Sequence, residues 1–180
     1  MYSEPHRHYH NQHHIADCLH EFDGVRHLAR EPVAVELAIW FHDAVYDTRA
    51  GDNEEHSAEL AKDWLKKSNT PDALADAVGQ LVLATKHHDG SLHVDAPLLV
   101  DVDLSILGQM PERFREYEAQ IRAEYSWVEQ ELFCEKRAEI LERFLARERI
   151  YGTEKFSGRC ELRARRNLRE SIAALQTGAK

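Results

Sequence analysis

The sequence predicts an all-α fold, and three observations carry that reading. Apolar residues recur at helical spacing through most of the chain, sustained period-two alternation and Asn-Gly hairpin signals are absent, and the breaks fall at Pro and Gly residues suited to helix ends. The 180 residues suffice for one domain with its own core, and no repeat, low-complexity tract or long linker divides them. A single domain over residues 1–180 is expected, with its core at about 8–150 and a C-terminal helix at about 160–176.

Each element has its own signal. Residues 10–22 place Ile15, Cys18, Leu19 and Phe22 at helical spacing and close near Gly24. Pro32 suits a first helical turn, and residues 33–46 are apolar almost all round, which predicts a buried helix. Residues 47–53 read as a loop around Gly51. Residues 54–67 follow as a helix with Ala58, Leu60, Ala61, Trp64 and Leu65 on one face. Thr70 with Pro71 restarts the chain, Thr70 as N-cap, for a helix over 72–86 with His87, His88 and Asp89 at its exit. Asp95 and Pro97 open an apolar segment over 98–107, stopped by Gly108 and Pro111, with Asp101 and Asp103 inside it. Residues 112–149 are amphipathic, charged and too long for one helix, so a bend is expected near 125–128. After Gly152, a last helix over 161–175 gathers Leu162, Leu168, Ile172 and Leu175.

Charge and cysteine usage narrow the function classes. With 23 basic against 32 acidic residues the net charge is −9, which opposes binding to nucleic acid or an anionic membrane but leaves small anionic substrates open. Cys18, Cys134 and Cys160 are far apart and odd in number, which predicts a reducing cytoplasm rather than a disulfide framework. No apolar run has the length of a membrane span, and no signal-peptide core opens the chain.

Histidine is the outlier, with 12 residues, seven of them among the first 27. The stretch Trp40-Phe41-His42-Asp43-Ala44-Val45-Tyr46 sets an imidazole beside a carboxylate at the end of an apolar segment. Burying both costs several kcal/mol unless partners fill their lone pairs, and a metal ion satisfies the two together. Similar groups stand at other helix ends: Tyr9-His10-Asn11-Gln12-His13-His14, then His87-His88, then Asp101-Val102-Asp103-Leu104-Ser105. On a helix, His10 and His14 share one face. Two histidines and two aspartates from separate helices make an N2O2 set for one divalent ion, Mn, Fe, Zn, Co or Mg, with no thiolate required.

These residues resemble the HD superfamily of metal-dependent phosphohydrolases, defined by a His, a later His-Asp pair and a final Asp. The opening segment is similar to the YHNxxHA motif of cyclic-nucleotide phosphodiesterases, and Asp103-Leu104-Ser105 is similar to their final-aspartate motif. More of the chain, most of residues 5–170, resembles a group of small bacterial predicted HD phosphohydrolases sharing RHYHN, FHDAVYD, NEE.SA and D.DL.ILG. The resemblance implies a helical HD-type fold with a central metal site and His14, His42, Asp43 and Asp103 as ligands. It also implies that His10 is the general acid and that Asp43 orients the attacking water. His13 remains a register alternative to His14, and the Asp-Leu-Ser match favours Asp103 over Asp101. The shorter chain lacks the phosphodiesterases' extended substrate-pocket segments, which speaks against cyclic nucleotides.

The implied reaction is hydrolysis of a phosphate ester of a small metabolite, a nucleotide first among them. Lys86, His87, His88, Arg122 and Arg165 are candidate phosphate contacts, and Glu54 and Glu55 could orient a ligand or a metal-bound water from behind. Tyr9 and Tyr46 flank the motifs, either as packing or as a platform for a base. His56 with His87 or His88 would complete a second metal site, as a di-iron oxygenase of this fold requires; a non-catalytic nucleotide-binding module is the third reading. A homodimer through the long charged helix is left open.

Overall fold

The structure, a computed structural model, describes residues 1–87 and 91–178, for His87 the backbone alone. Every regular element among them is helical: eight α-helices and two short 3-10 turns. No helix among the described residues is long and apolar enough to cross a membrane. The chain divides into two units, Met1–Asp103 and Leu104–Lys180.

In the first unit, α1 (Gln12–Asp23), α2 (Pro32–Phe41), α3 (Asn53–Lys67), α4 (Asp72–His87) and α5 (Ala96–Asp103) pack with α2 touching all the others. Pro32 sits in the first turn of α2, where its missing N–H costs nothing, and the Ala34, Val35, Ala38 and Ile39 side chains are fully buried. Ile15, Phe22, Leu81 and Leu99 are as completely enclosed, each worth roughly 1.5–3 kcal/mol over leaving it in water. Buried Asp95, at the entrance to α5, accepts from the Arg30 and Glu31 backbone N–H groups at 2.9 and 2.7 Å. It ties the starts of α5 and α2 together.

Three expectations change here. Asn11, extended at φ −126°, ψ −171°, caps α1 by accepting from the His13 N–H at 2.8 Å, so His10 precedes the helix instead of sharing a face with His14. Helix α2 ends at Phe41, not at residue 46, and its surface is not apolar-buried all round, since Val33 and Trp40 are exposed. Pro71, not Thr70, stands directly before α4, its carbonyl accepting from the Leu74 and Ala75 N–H groups, while the Thr70 N–H closes α3 on the Leu65 carbonyl.

In the second unit, a 3-10 helix (Leu104–Gly108) leads to α6 (Pro111–Glu124), α7 (Gln130–Ala146) and α8 (Glu154–Gly178). The apolar segment expected over 98–107 therefore splits at Asp103. Distant donors take the carbonyls that a longer α-helix would have used: Tyr151 Oη reaches Leu104 O at 3.1 Å, and Asn167 Nδ2 reaches Leu107 O and Gln109 O at 2.9 Å. The bend expected near 125–128 is a complete break. Arg122 fastens the connection by donating to Tyr125 O, Val128 O and Gln130 Oε1 at 2.6, 3.0 and 2.9 Å, while the Tyr125 and Ser126 N–H groups close α6 on the Ile121 and Ala123 carbonyls. Helix α8 starts at residue 154 rather than 161, with Thr153 O accepting from Ser157 N–H.

Candidate metal centre

All parts of the centre lie within the first unit. Helix α1 contributes His14 from its buried side, while neighbouring His13 is exposed. Residues 42–45 contribute His42 and Asp43 because the chain leaves the helix there under the control of three distant side chains. Arg7, itself buried, donates to Asp43 O at 2.7 Å, to Ala44 O at 3.1 Å and to His10 O at 3.0 Å. Buried Ser57 accepts from Val45 N–H at 3.0 Å. Asn53 pairs with both backbone groups of Asp47 at 2.9 Å. The last residue of α5 supplies Asp103.

These side chains converge. His14 Nε2 is 3.0 Å from His42 Nε2, 3.5 Å from Asp43 Oδ2 and 3.3 Å from Asp103 Oδ1; His42 Nε2 is 3.1 and 3.5 Å from the same two oxygens. Metal–ligand bonds of about 2.1 Å put neighbouring donors about 3.0 Å apart at right angles and about 3.4 Å apart at tetrahedral angles. The observed separations, 3.0–3.5 Å, lie within or just above that range, so each carboxylate faces the imidazole pair at a distance that suits a shared cation. Asp43 and Asp103 keep 17% and 19% of their side-chain surface exposed, whereas His14 and His42 are buried, so solvent reaches the cluster from the carboxylate side.

Electrostatics favours positive charge at the same point. Burial works against a charged imidazole at His42, but Asp43 and Asp103 outweigh it and hold its pKa well above the ordinary value. Burial works against the two carboxylates as well, yet the histidines hold both pKa values below the ordinary range. His42 Nδ1 donates to the Ile39 carbonyl at 2.9 Å, so deprotonation of this ring frees Nε2, the nitrogen that faces the cluster.

His10 stands beside the cluster although it is outside α1. Its ring centroid is 5.9 Å from that of His14 and 4.3 Å from that of Tyr46, and Tyr9 meets it edge-on at 5.0 Å. Asp103, not fully buried Asp101, is the aspartate in contact with both imidazoles.

The remaining candidates are engaged elsewhere. Lys86 pairs with Glu55 and donates to Gly51 O at 2.8 Å, closing the 47–53 loop onto the first turn of α3, where Glu54 also sits. His56 is 55% exposed, with Asp52 and Glu59 as its ring partners. Arg122 and Arg165 belong to the second unit. There Arg165 binds Glu161 and the carbonyls of Leu145, Arg147 and Glu148, as Arg122 binds those after α6. His88 and the His87 side chain lie outside the described residues.

Arg7 carried no local signal of its role, and beside the centre Cys18 sets its Sγ 3.7 and 3.8 Å from the two ring nitrogens of His14. Burial, and then the nearby Asp103 and Asp43 carboxylates, push the Cys18 thiol pKa up. No family model, curated protein or solved structure matches the chain.

Proposed function

We propose that this protein is a metal-dependent phosphohydrolase of the HD type, acting on a phosphate ester of a small metabolite, a nucleotide first among them. His14, His42, Asp43 and Asp103 would hold one divalent ion. The observation that carries this reading is the meeting of two imidazoles and two carboxylates, brought from α1, from the turn after α2 and from the end of α5, at separations that suit a shared cation. Among the described residues, both sets of three donors compact enough for an ion include His14, which supports a single centre there.

A divalent ion held by His14, His42, Asp43 and Asp103 would lower the pKa of water and offset the negative charge of a phosphoryl group. The chain's own groups supply the rest. Asp43 is kept ionised by His42 and by the charge of His10, so it offers a carboxylate that accepts a hydrogen bond from the attacking water. The His10 imidazole, partly exposed and braced by the Tyr46 and Tyr9 rings, gives a ring-nitrogen proton to the leaving oxygen, as an imidazole does in general acid catalysis. Arg7 holds the His10, Asp43 and Ala44 carbonyls together and so fixes the proton donor relative to the carboxylate.

The test is an assay against a panel of phosphate monoesters and diesters with Mn, Fe, Zn, Co and Mg in turn. Hydrolysis of at least one ester, abolished in His42→Ala and Asp43→Ala, is expected. Full activity in either variant would overturn the mechanism. If no ester is turned over with any of the metals while nucleotides still raise the melting temperature, the protein is a binding module instead.

A further inference from the structure

The backbone where α2 ends has one more distant partner, Tyr2. A helix that continued would direct the Ala44 N–H to the Trp40 carbonyl. Instead that N–H bonds the Phe41 carbonyl at 3.0 Å, and the Tyr2 hydroxyl donates to the Trp40 carbonyl at 2.8 Å. The preceding carbonyl, of Ile39, is taken by His42 Nδ1 at 2.9 Å. The last turn of α2 is thus closed by side chains, and the chain turns there so that His42 and Asp43 face His14. Tyr2 is held firmly for this. Its side chain is buried, and its ring lies 5.2 Å from the guanidinium carbon of Arg7, which itself carries the Asp43 and Ala44 carbonyls. Its φ of 65° is a left-handed backbone that a residue other than Gly adopts only at a cost, which the surrounding contacts must offset.

From this geometry we propose that Tyr2 is a positioning residue of the metal centre: by occupying the Trp40 carbonyl, its hydroxyl ends α2 at Phe41 and so aims His42 and Asp43 at the point they share with His14 and Asp103. The inference rests on the reading that these four residues hold a cation. Tyr2 touches neither the ion nor a substrate and acts only through the backbone that carries two of the donors. Without the hydroxyl, the Trp40 carbonyl is left to the Ala44 N–H, and the helix winds on by a residue or more. The Asp43 side chain then takes the direction that the helix imposes rather than the one the centre needs. Supporting groups of this kind govern metal affinity because a donor that must first be turned into place binds more weakly.

The experiment titrates Mn²⁺ calorimetrically into three metal-free full-length proteins and records the visible absorption bands of the same proteins loaded with Co²⁺, which report the arrangement of the ligands. The three are wild type, Tyr2→Phe, which keeps the ring and loses only the hydroxyl, and Glu161→Ala, which removes the acceptor of the Ile150 and Tyr151 N–H groups in the second unit. Wild type should bind about one Mn²⁺ per chain. Tyr2→Phe should bind it about tenfold or more weaker and give altered Co²⁺ bands. Glu161→Ala should lower the melting temperature yet keep the wild-type affinity and bands. Wild-type affinity and bands in Tyr2→Phe, or an equal loss of affinity in Glu161→Ala, overturns the role of Tyr2 and leaves the four-donor centre standing. Failure of wild type to bind either ion overturns both.

Discussion

The Nε2 atoms of His14 and His42 lie 3.0 Å apart although 28 positions separate the two residues. Two buried ring nitrogens facing each other, with a carboxylate oxygen 3.1–3.5 Å from each on either side, form a group that needs a positive charge in its middle. A proton on His42 meets that need when no metal is bound, and a divalent ion would meet it better. The consequences below all derive from this competition or from the side chains that hold the four donors in place.

Metal binding should therefore release protons. Because the His42 pKa is raised, the metal-free centre keeps its proton near neutral pH, and an ion must displace it. Apparent metal affinity is expected to rise with pH through the neutral range, and titration calorimetry in buffers of different ionisation enthalpy should show net proton release. An affinity independent of pH between 6 and 8, with no proton release, would contradict the assignment of His42 as a ligand.

The same shifts set the stability of the metal-free protein. The raised His42 pKa contributes stability that is fully present below the ordinary value of 6.5 and is lost as pH rises through the folded value. The lowered Asp43 and Asp103 pKa values contribute stability present above the ordinary 3.8 and lost as pH falls through theirs. Denaturant midpoints should pass through a maximum between these limits, and saturating metal should remove the decline on the alkaline side.

Arg7→Ala should destabilise the protein by roughly 3 kcal/mol, because it takes a buried guanidinium away from three carbonyls and from Glu4, 3.0 Å away. Arg7→Lys should recover little of this, since one ammonium cannot reproduce the planar fork that spans both Asp43 and Ala44. Chemical denaturation measures the loss, and metal affinity should fall with it.

Much of the helical framework was legible in the chain: Pro32 at a helix start, the restart at Thr70-Pro71 before α4, and helical spacing of apolar residues in α1 and α3. The residues that converge at the candidate centre were also legible, as polar pairs at the ends of apolar runs. What could not be read were features that depend on partners far away in sequence. Helix α2 stops where Arg7, 36 positions earlier, takes the Asp43 carbonyl. Cys18 looked like one more apolar position of α1, and only the packing of α1 against α5 brings it near Asp103.

Gly108 shows the same dependence in the second unit. A Cβ there would stand 2.6 Å from Cys160 Cβ and 2.9 Å from Tyr151 Oη, so Gly108→Ala should push Tyr151 off the Leu104 carbonyl and destabilise the protein by about 2 kcal/mol. Thermal unfolding tests this, and unchanged stability would mean that the 3-10 helix packs more loosely than described.

The most direct measurement of the central claim counts divalent ions per chain by equilibrium dialysis against Mn²⁺, in wild type, His42→Ala and Asp103→Ala. The four-donor centre predicts about one ion in wild type and almost none in either variant, with helical circular dichroism retained. One ion still bound in both variants, at wild-type affinity, would contradict it.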